Sequence, residues 1–284
     1  MKNDAGYGGG ILDGSADSCL ICDNVASSSA AGAIYAHLYN CTIVRNRCTG
    51  EDGGVYACQG FNNIIVSNEP CNMRWIYGMT YVCSSPYYEA EGWVTNDPCF
   101  VDYNGDDFHL ASNSPCIDAG TTNDEAMDLD GIPRPLDGNG DGAAVCDLGC
   151  YEFVHPTADT DGDGLSDTNE IYVWHTQALA EDSDGDRTMD GDEVTAGTDP
   201  LSSGSFLGLD SVNPAGSGWL LTWRTVFGKG YWVQRSTDLA SGVWSNLWNY
   251  PISELDEYPE GTESFYDLNA PTDRPAVYRV QLNE

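Results

Sequence analysis

Three short segments of this chain recur at a fixed offset of 22 residues: 19–24 (CLICDN), 41–46 (CTIVRN) and 63–68 (NIIVSN). Asn24, Asn46 and Asn68 share one column, Ile21, Ile43 and Ile65 another, and Cys22, Val44 and Val66 a third. Gly10, Gly32 and Gly54 keep the same period. Short β-like segments at such a spacing cannot close a core singly; stacked as rungs they bury a continuous aliphatic column. The period therefore predicts a solenoid with about 22 residues per rung. The asparagine column is expected at a tight turn, where Asn tolerates left-handed backbone. Stacked amides would hydrogen-bond from rung to rung, a structural ladder in preference to a row of ligand-binding residues. Cys19 over Cys41 is open to two readings, a disulfide or a ladder of buried free thiols.

Composition narrows the class. Thirty-two glycines, sixteen tyrosines and eight tryptophans, with no long helical periodicity, point to an all-β chain rich in turns. A net charge of −34 excludes a phosphate-binding, nucleic-acid role and electrostatic docking to an anionic membrane. Divalent cations are the natural counter-charge. No run of eighteen apolar residues offers a transmembrane helix. The first residues lack the apolar core of a signal peptide and begin inside a repeat, so the chain is expected to be a fragment with rungs upstream. Eleven cysteines leave at least one unpaired in a monomer. Cys19 and Cys22 form a lone C-x-x-C, read as core packing because no second pair or His pair supports zinc.

Residues 159–193 carry twelve carboxylates against one arginine, Arg187. Their spacing is that of a calcium loop, with ligands at positions one, three, five, seven, nine and twelve. Asp159, Asp161, Asp163, the Leu165 carbonyl, Asp167 and Glu170 fill the first frame. Asp182, Asp184, Asp186, the Thr188 carbonyl, Asp190 and Glu193 fill the second. Gly164 occupies the sharp-turn position of the first loop; Arg187 occupies it in the second, which predicts an unfavourable backbone angle and a weaker site. A third, incomplete frame is Asp137, Asn139 and Asp141, where Asp147 stands one short of the twelfth place; a glycine-rich surface turn is the leading reading and a weak calcium site the minority one. Solvation alone would explain the sign of this charge, but not its spacing.

Three resemblances extend these readings. The runs 96–120 (NDPCFVDYNGDDFHLASNSPCIDAG), 128–135 (DLDGIPRP) and 147–153 (DLGCYEF) resemble the closing segment of bacterial surface proteins built as right-handed parallel β-helices. Cys99, Cys116 and Cys150 stand where that family has Leu or Ala, which implies buried packing and leaves a Cys116–Cys150 disulfide open. The tandem loops, their short spacer and the GTDP run at 197–200 resemble bacterial thrombospondin type 3 repeats, calcium-organised rods; the first loop lacks the matching TDP and reads Thr176, Gln177, Ala178. An EF-hand would need a full helix on each side, and 168–180 forms helix poorly. From Phe206 the pattern alternates with period two, giving six expected strands at 206–212, 219–225, 231–237, 243–247, 262–268 and 276–282. This part is loosely similar to fibronectin type III domains.

The expected organisation is thus the end of a β-helix over 1–155, calcium repeats over 156–202 and a small β-sandwich over 203–284. No catalytic set stands out. Lys2, Arg45, Arg47, Arg74 and Arg134 are the basic residues of the solenoid, Asp106 and Asp107 its paired acids, and His37 and His109 are isolated along the sequence. The leading expectation is a calcium-binding, adhesin-like structural protein, extracellular or on a cell surface as the resemblances imply, with glycans or other surface proteins as further partners. Alternatives are a polysaccharide lyase or hydrolase with its catalytic rungs upstream or in an unrecognised groove of this chain, and a carbohydrate-binding module using Trp223, Trp232 and Trp244, whose core packing is the competing reading.

Overall fold

The computed structural model describes residues 4–7, 9–50, 52–86, 90–122, 127–226, 229–250, 260–271 and 276–282; Lys2 lies outside them. The chain is all-β, and its contacts divide it into two compact units, Met1–Gly162 with Ser166–Leu179, and Asp163–Leu165 with Ala180–Glu284.

The first unit is a parallel β-solenoid of about three turns. The strand Ile11–Asp17 pairs in parallel with Ala33–Tyr39, which pairs with Gln59–Val66. Leu20–Cys22 stacks on Thr42–Val44, and that on the end of Gln59–Val66, so Ile21, Ile43 and Ile65 fall in register as their spacing requires. With Leu38, Val55, Met79 and Val82 they form one buried apolar column. The period then shortens: Val55 meets Met73, and Gly60 meets Met79. Gly10, Gly32 and Gly54 are required by close approach, because a Cβ on Gly32 would lie 2.4 Å from the Gly54 carbonyl oxygen.

Each rung bends at positions where a non-glycine residue adopts left-handed backbone. Asp13, Tyr35, Ala57 and Trp75 form one such column, Ser18, Asn40, Asn62 and Tyr81 a second, and Asp23, Arg45 and Ser67 a third, all with φ between 45 and 58°. The turn expected at Asn24, Asn46 and Asn68 thus falls one residue earlier. Those three asparagines are buried instead. The Asn24 amide donates to Asn46 Oδ1 at 2.9 Å and the Asn46 amide to Asn68 Oδ1 at 3.0 Å. The backbone N–H groups of Asn24 and Asn46 reach the same oxygens. Asn72 continues the row by accepting from Asn68. The left-handed asparagines are Asn40 and Asn62, themselves bonded amide to amide at 3.0 Å.

The end of the solenoid core is covered by the segment from Phe100 to Phe153. Phe100–Asp102 and Asp107–Leu110 form an antiparallel pair. Residues 146–150 lie on the rungs: the Gly149 N–H reaches the Asn62 carbonyl and the Cys150 N–H the Thr42 hydroxyl. Leu110, Cys116 and Leu148 close over Ile64 and Cys83. A buried polar knot secures this cover. Arg134 donates to the Asp147 and Gly149 carbonyls and lies 3.3 Å from Glu152. Glu152 accepts from the Leu136 and Asp147 N–H groups, and Asp147 from those of Asp118 and Phe153. All eleven cysteines are free. Cys116 and Cys150 are both buried free thiols, so the Cys116–Cys150 pairing is not formed.

In the second unit, past the acidic loops, two three-stranded antiparallel sheets share one apolar cluster. One contains Leu209–Ala215, Gly218–Val226 and Glu260–Asp267; the other contains Ser245–Tyr250, Tyr231–Ser236 and Val277–Leu282. Leu221, Trp223, Tyr231, Val233 and Val280 are the buried centre. Period-two patterning located all six strands. The first starts later than expected and continues through Pro214, which is tolerated because that strand is an edge with one partner.

Candidate metal centre

The two acidic loops have the same internal construction, although only their acids follow the calcium spacing. In the first, the Asp167 N–H donates to the Ala158 carbonyl, and the Thr160 N–H and hydroxyl both donate to the Asp167 carboxylate at 2.8 Å. In the second, the Asp190 N–H donates to Glu181, and the Ser183 N–H and hydroxyl donate to Asp190 at 3.0 and 2.6 Å. The ninth position is therefore a clasp on the second. Position one holds the turn: Asp159 accepts from the Gly162 N–H, and Asp182 from those of Gly185 and Arg187. Position five accepts from position seven, Leu165 on Asp163 and Thr188 on Asp186. At position twelve a threonine hydroxyl meets each glutamate, Thr176 on Glu170 and Thr198 on Glu193. Thus Thr176 serves as Thr198 does, although the Asp that follows Thr198 is replaced by Gln177.

A short helical turn follows each loop. Asp167–Asn169 is capped by the Ser166 side chain and runs into a π-turn over Glu170–Trp174, ended by His175 at φ 61°. Asp190–Ala196 ends at Gly197 with φ 81°. These turns place the buried Glu170 and Glu193 behind their loops. No full helix precedes either loop, in agreement with the distinction from an EF-hand.

Within each loop the acids at positions one, three and five converge. Ligand atoms of Asp159, Asp161 and Asp163 lie within 4.8 Å of one another, as do those of Asp182, Asp184 and Asp186. In the second loop three carboxylate oxygens, Asp184 Oδ2, Asp186 Oδ2 and Glu193 Oε2, are buried without a hydrogen-bond partner. Burial pushes Glu193 up to about 7 and raises Asp184, while the Arg187 N–H holds Asp182 below its ordinary value. Desolvated oxygens facing like charge are costly unless a cation joins them. Hard oxygen donors in this number suit calcium. Arg187 has φ 82°, the left-handed angle its position demands, and its side chain is exposed. In the second unit, Asp163 also accepts from the Gly191 N–H at 2.9 Å.

The third frame is built differently. Asp137 accepts from the N–H groups of Gly140, Asp141 and Gly142, and Asp141 from that of Ala143. Asn139 is exposed. Asp147 belongs to the polar knot, with both oxygens on backbone N–H groups. These residues are not among the convergent acidic groups found in the described residues.

The other candidates have structural partners. Arg45 bridges Asp23 and Asp106, and Arg47 pairs with Glu69. Asp107 pairs instead with His109, whose other nitrogen meets Asp130 at 2.9 Å while its ring stacks on Tyr151. Trp223 is fully buried, and Arg279 covers the Trp244 ring. No helix among the described residues is long and apolar enough to cross a membrane.

The loop pairings at Thr160, Ser183, Thr176 and Thr198 escaped the ligand spacing, but an offset of 22 or 23 residues between like hydroxyls was their visible signal. No curated protein and no solved structure gives a significant match to the chain. The family model of the bacterial TSP3 repeat matches residues 159–176 and 182–203, the two loops with the turns behind them.

Proposed function

We propose that this chain is a calcium-binding, adhesin-like structural protein of the extracellular space or a cell surface. Its solenoid serves as a stalk, and its C-terminal sheets, a small sandwich, serve attachment or assembly. Asp159, Asp161, Asp163 and Glu170 hold one ion with the Leu165 carbonyl. Asp182, Asp184, Asp186 and Glu193 hold another with the Thr188 carbonyl. Asp167 and Asp190, at the ninth ligand place, also clasp the loops from within. The observation that carries the calcium part of this reading is the trio of buried, unbonded carboxylate oxygens at Asp184, Asp186 and Glu193. The repeat match and the convergence of the acids support the same metal. Calcium held only by the folded form stabilises it by mass action.

Titration calorimetry on chelator-stripped protein tests the proposal. Two binding events are expected, the second lost in a double variant carrying Asp186→Asn and Glu193→Gln. Absence of calcium-dependent heat at millimolar metal would overturn it. Glycans and other surface proteins remain the partner classes for the attachment module, tested by glycan-array binding and pull-down with the full chain.

A further inference from the structure

Cys19 and Cys41 occupy one column of the solenoid, each immediately before a strand, and those strands pair Leu20 with Thr42. The Thr42 N–H donates to the Cys19 carbonyl at 3.0 Å, which fixes the two cysteines as direct neighbours across adjacent rungs. Neighbouring strands lie about 4.8 Å apart, inside the roughly 4.4–6.8 Å Cα separation that a disulfide spans. The side chains share one direction: Cys19 Sγ donates to the Asp17 carbonyl and Cys41 Sγ to the Tyr39 carbonyl, each at 3.0 Å. The two thiols lie close enough for each to shift the ionisation of the other. Cys19 is half-buried and reachable from solvent, whereas Cys41 is fully buried.

We propose that Cys19 and Cys41 form a redox-active dithiol that closes to a disulfide between two successive rungs. The oxidant is a small disulfide of the glutathione type. The Cys19 thiolate attacks one sulfur of the oxidant, the oxidant's S–S bond breaks, and one thiolate leaves. Cys41 then attacks the Cys19 sulfur and passes its proton to the departing small thiolate, which leaves as the second thiol. Two protein thiols and one small disulfide become one protein disulfide and two small thiols, with two electrons passed to the oxidant. The division of labour follows the environment. The neighbouring Cys41 thiol holds the Cys19 thiol down at about 6, whereas the thiol of Cys41 is pushed well up by Cys19 and by burial. The accessible sulfur is thus the nucleophile, and the buried one needs to meet only its neighbour. Cys83 and Cys116 belong to one apolar cluster but are both fully buried, so they form an internal control.

The test uses the reduced full chain, incubated with glutathione disulfide near neutral pH, quenched with N-ethylmaleimide and mapped by mass spectrometry. The expected product has lost two hydrogens and yields one linked peptide joining Cys19 to Cys41. It should form about tenfold or more faster than any product at Cys83 or Cys116. Cys41→Ser should trap a glutathione adduct at Cys19, and Cys19→Ser should leave Cys41 unreacted. A stable adduct at Cys19 in the unsubstituted chain, a first linkage elsewhere, or full alkylation of both cysteines after oxidation would overturn the proposal.

Discussion

At the residue scale, the second loop stands on a single backbone angle. Arg187 adopts φ 82° where the first loop has Gly164 at 100°. A side chain in left-handed backbone costs about 1–2 kcal/mol. Arg187→Gly should therefore raise the stability of the second unit by about 1 kcal/mol, read from chemical unfolding, and tighten calcium at that loop because a positive charge also leaves. Arg187→Ala separates the two effects: it removes the charge but keeps the strain, so it should tighten calcium without the stability gain. The sequence made this angle visible, because a glycine position in a known frame carried an arginine. It did not reveal the left-handed columns of the solenoid, which fall on Tyr35, Ala57, Trp75 and Arg45 as readily as on Asn40 and Asn62. Those residues take that angle because rung stacking repays it, and stacking is not a local property of Tyr or Trp.

At the element scale, the rungs are held by hydrogen bonds within buried columns as much as by their aliphatic core. Asn46 serves Asn24 above and Asn68 below while its own amide reaches the Ile21 and Val44 carbonyls. Asn46→Ala would orphan buried donors and acceptors on both sides, costing about 3 kcal/mol. Thermal unfolding of this variant beside the unsubstituted chain checks the cost. The polar knot predicts a pH effect. Burial raises Glu152 from 4.5 to about 7 and moves Asp147 the same way. The folded state therefore keeps a proton that the unfolded chain has released. The stability contributed is present below 4.5 and is lost as pH rises through about 7. The first unit should melt at a higher temperature near pH 5 than near pH 8, and Glu152→Gln should flatten that slope. The sequence exposed these elements unevenly. Ile21, Ile43 and Ile65 revealed the rungs because their offset is constant. Asn72, Met73 and Met79 escaped because the last rung is shorter, and a fixed offset steps past them. The knot joins Arg134 to Glu152 across a turn, a pairing no periodicity encodes.

At the scale of the whole molecule, a charge of −34 offers two ways for calcium to stabilise the chain. Diffuse screening would relieve repulsion wherever acids crowd, and any salt could supply it. Site binding requires the converging oxygens of Asp182, Asp184 and Asp186 and the buried Glu193, and sodium cannot satisfy it at the same concentration. The two mechanisms separate in one experiment. Thermal unfolding is followed with chelator, with excess sodium chloride, and with calcium at about 100 times its dissociation constant. Site binding predicts a gain of about 2.7 kcal/mol per site from calcium, with sodium chloride giving a smaller, graded rise. It further predicts that a chain carrying both Asp186→Asn and Glu193→Gln loses the calcium gain of that site but keeps its response to sodium chloride. Equal responses to the two salts, or a calcium gain untouched by those substitutions, would reduce the acidic loops to a solvated surface. The structure argues for the first outcome because the two loops repeat each other bond for bond at Thr160 and Ser183, at Leu165 and Thr188, and at Thr176 and Thr198. Diffuse charge needs no such repetition; a coordination sphere does.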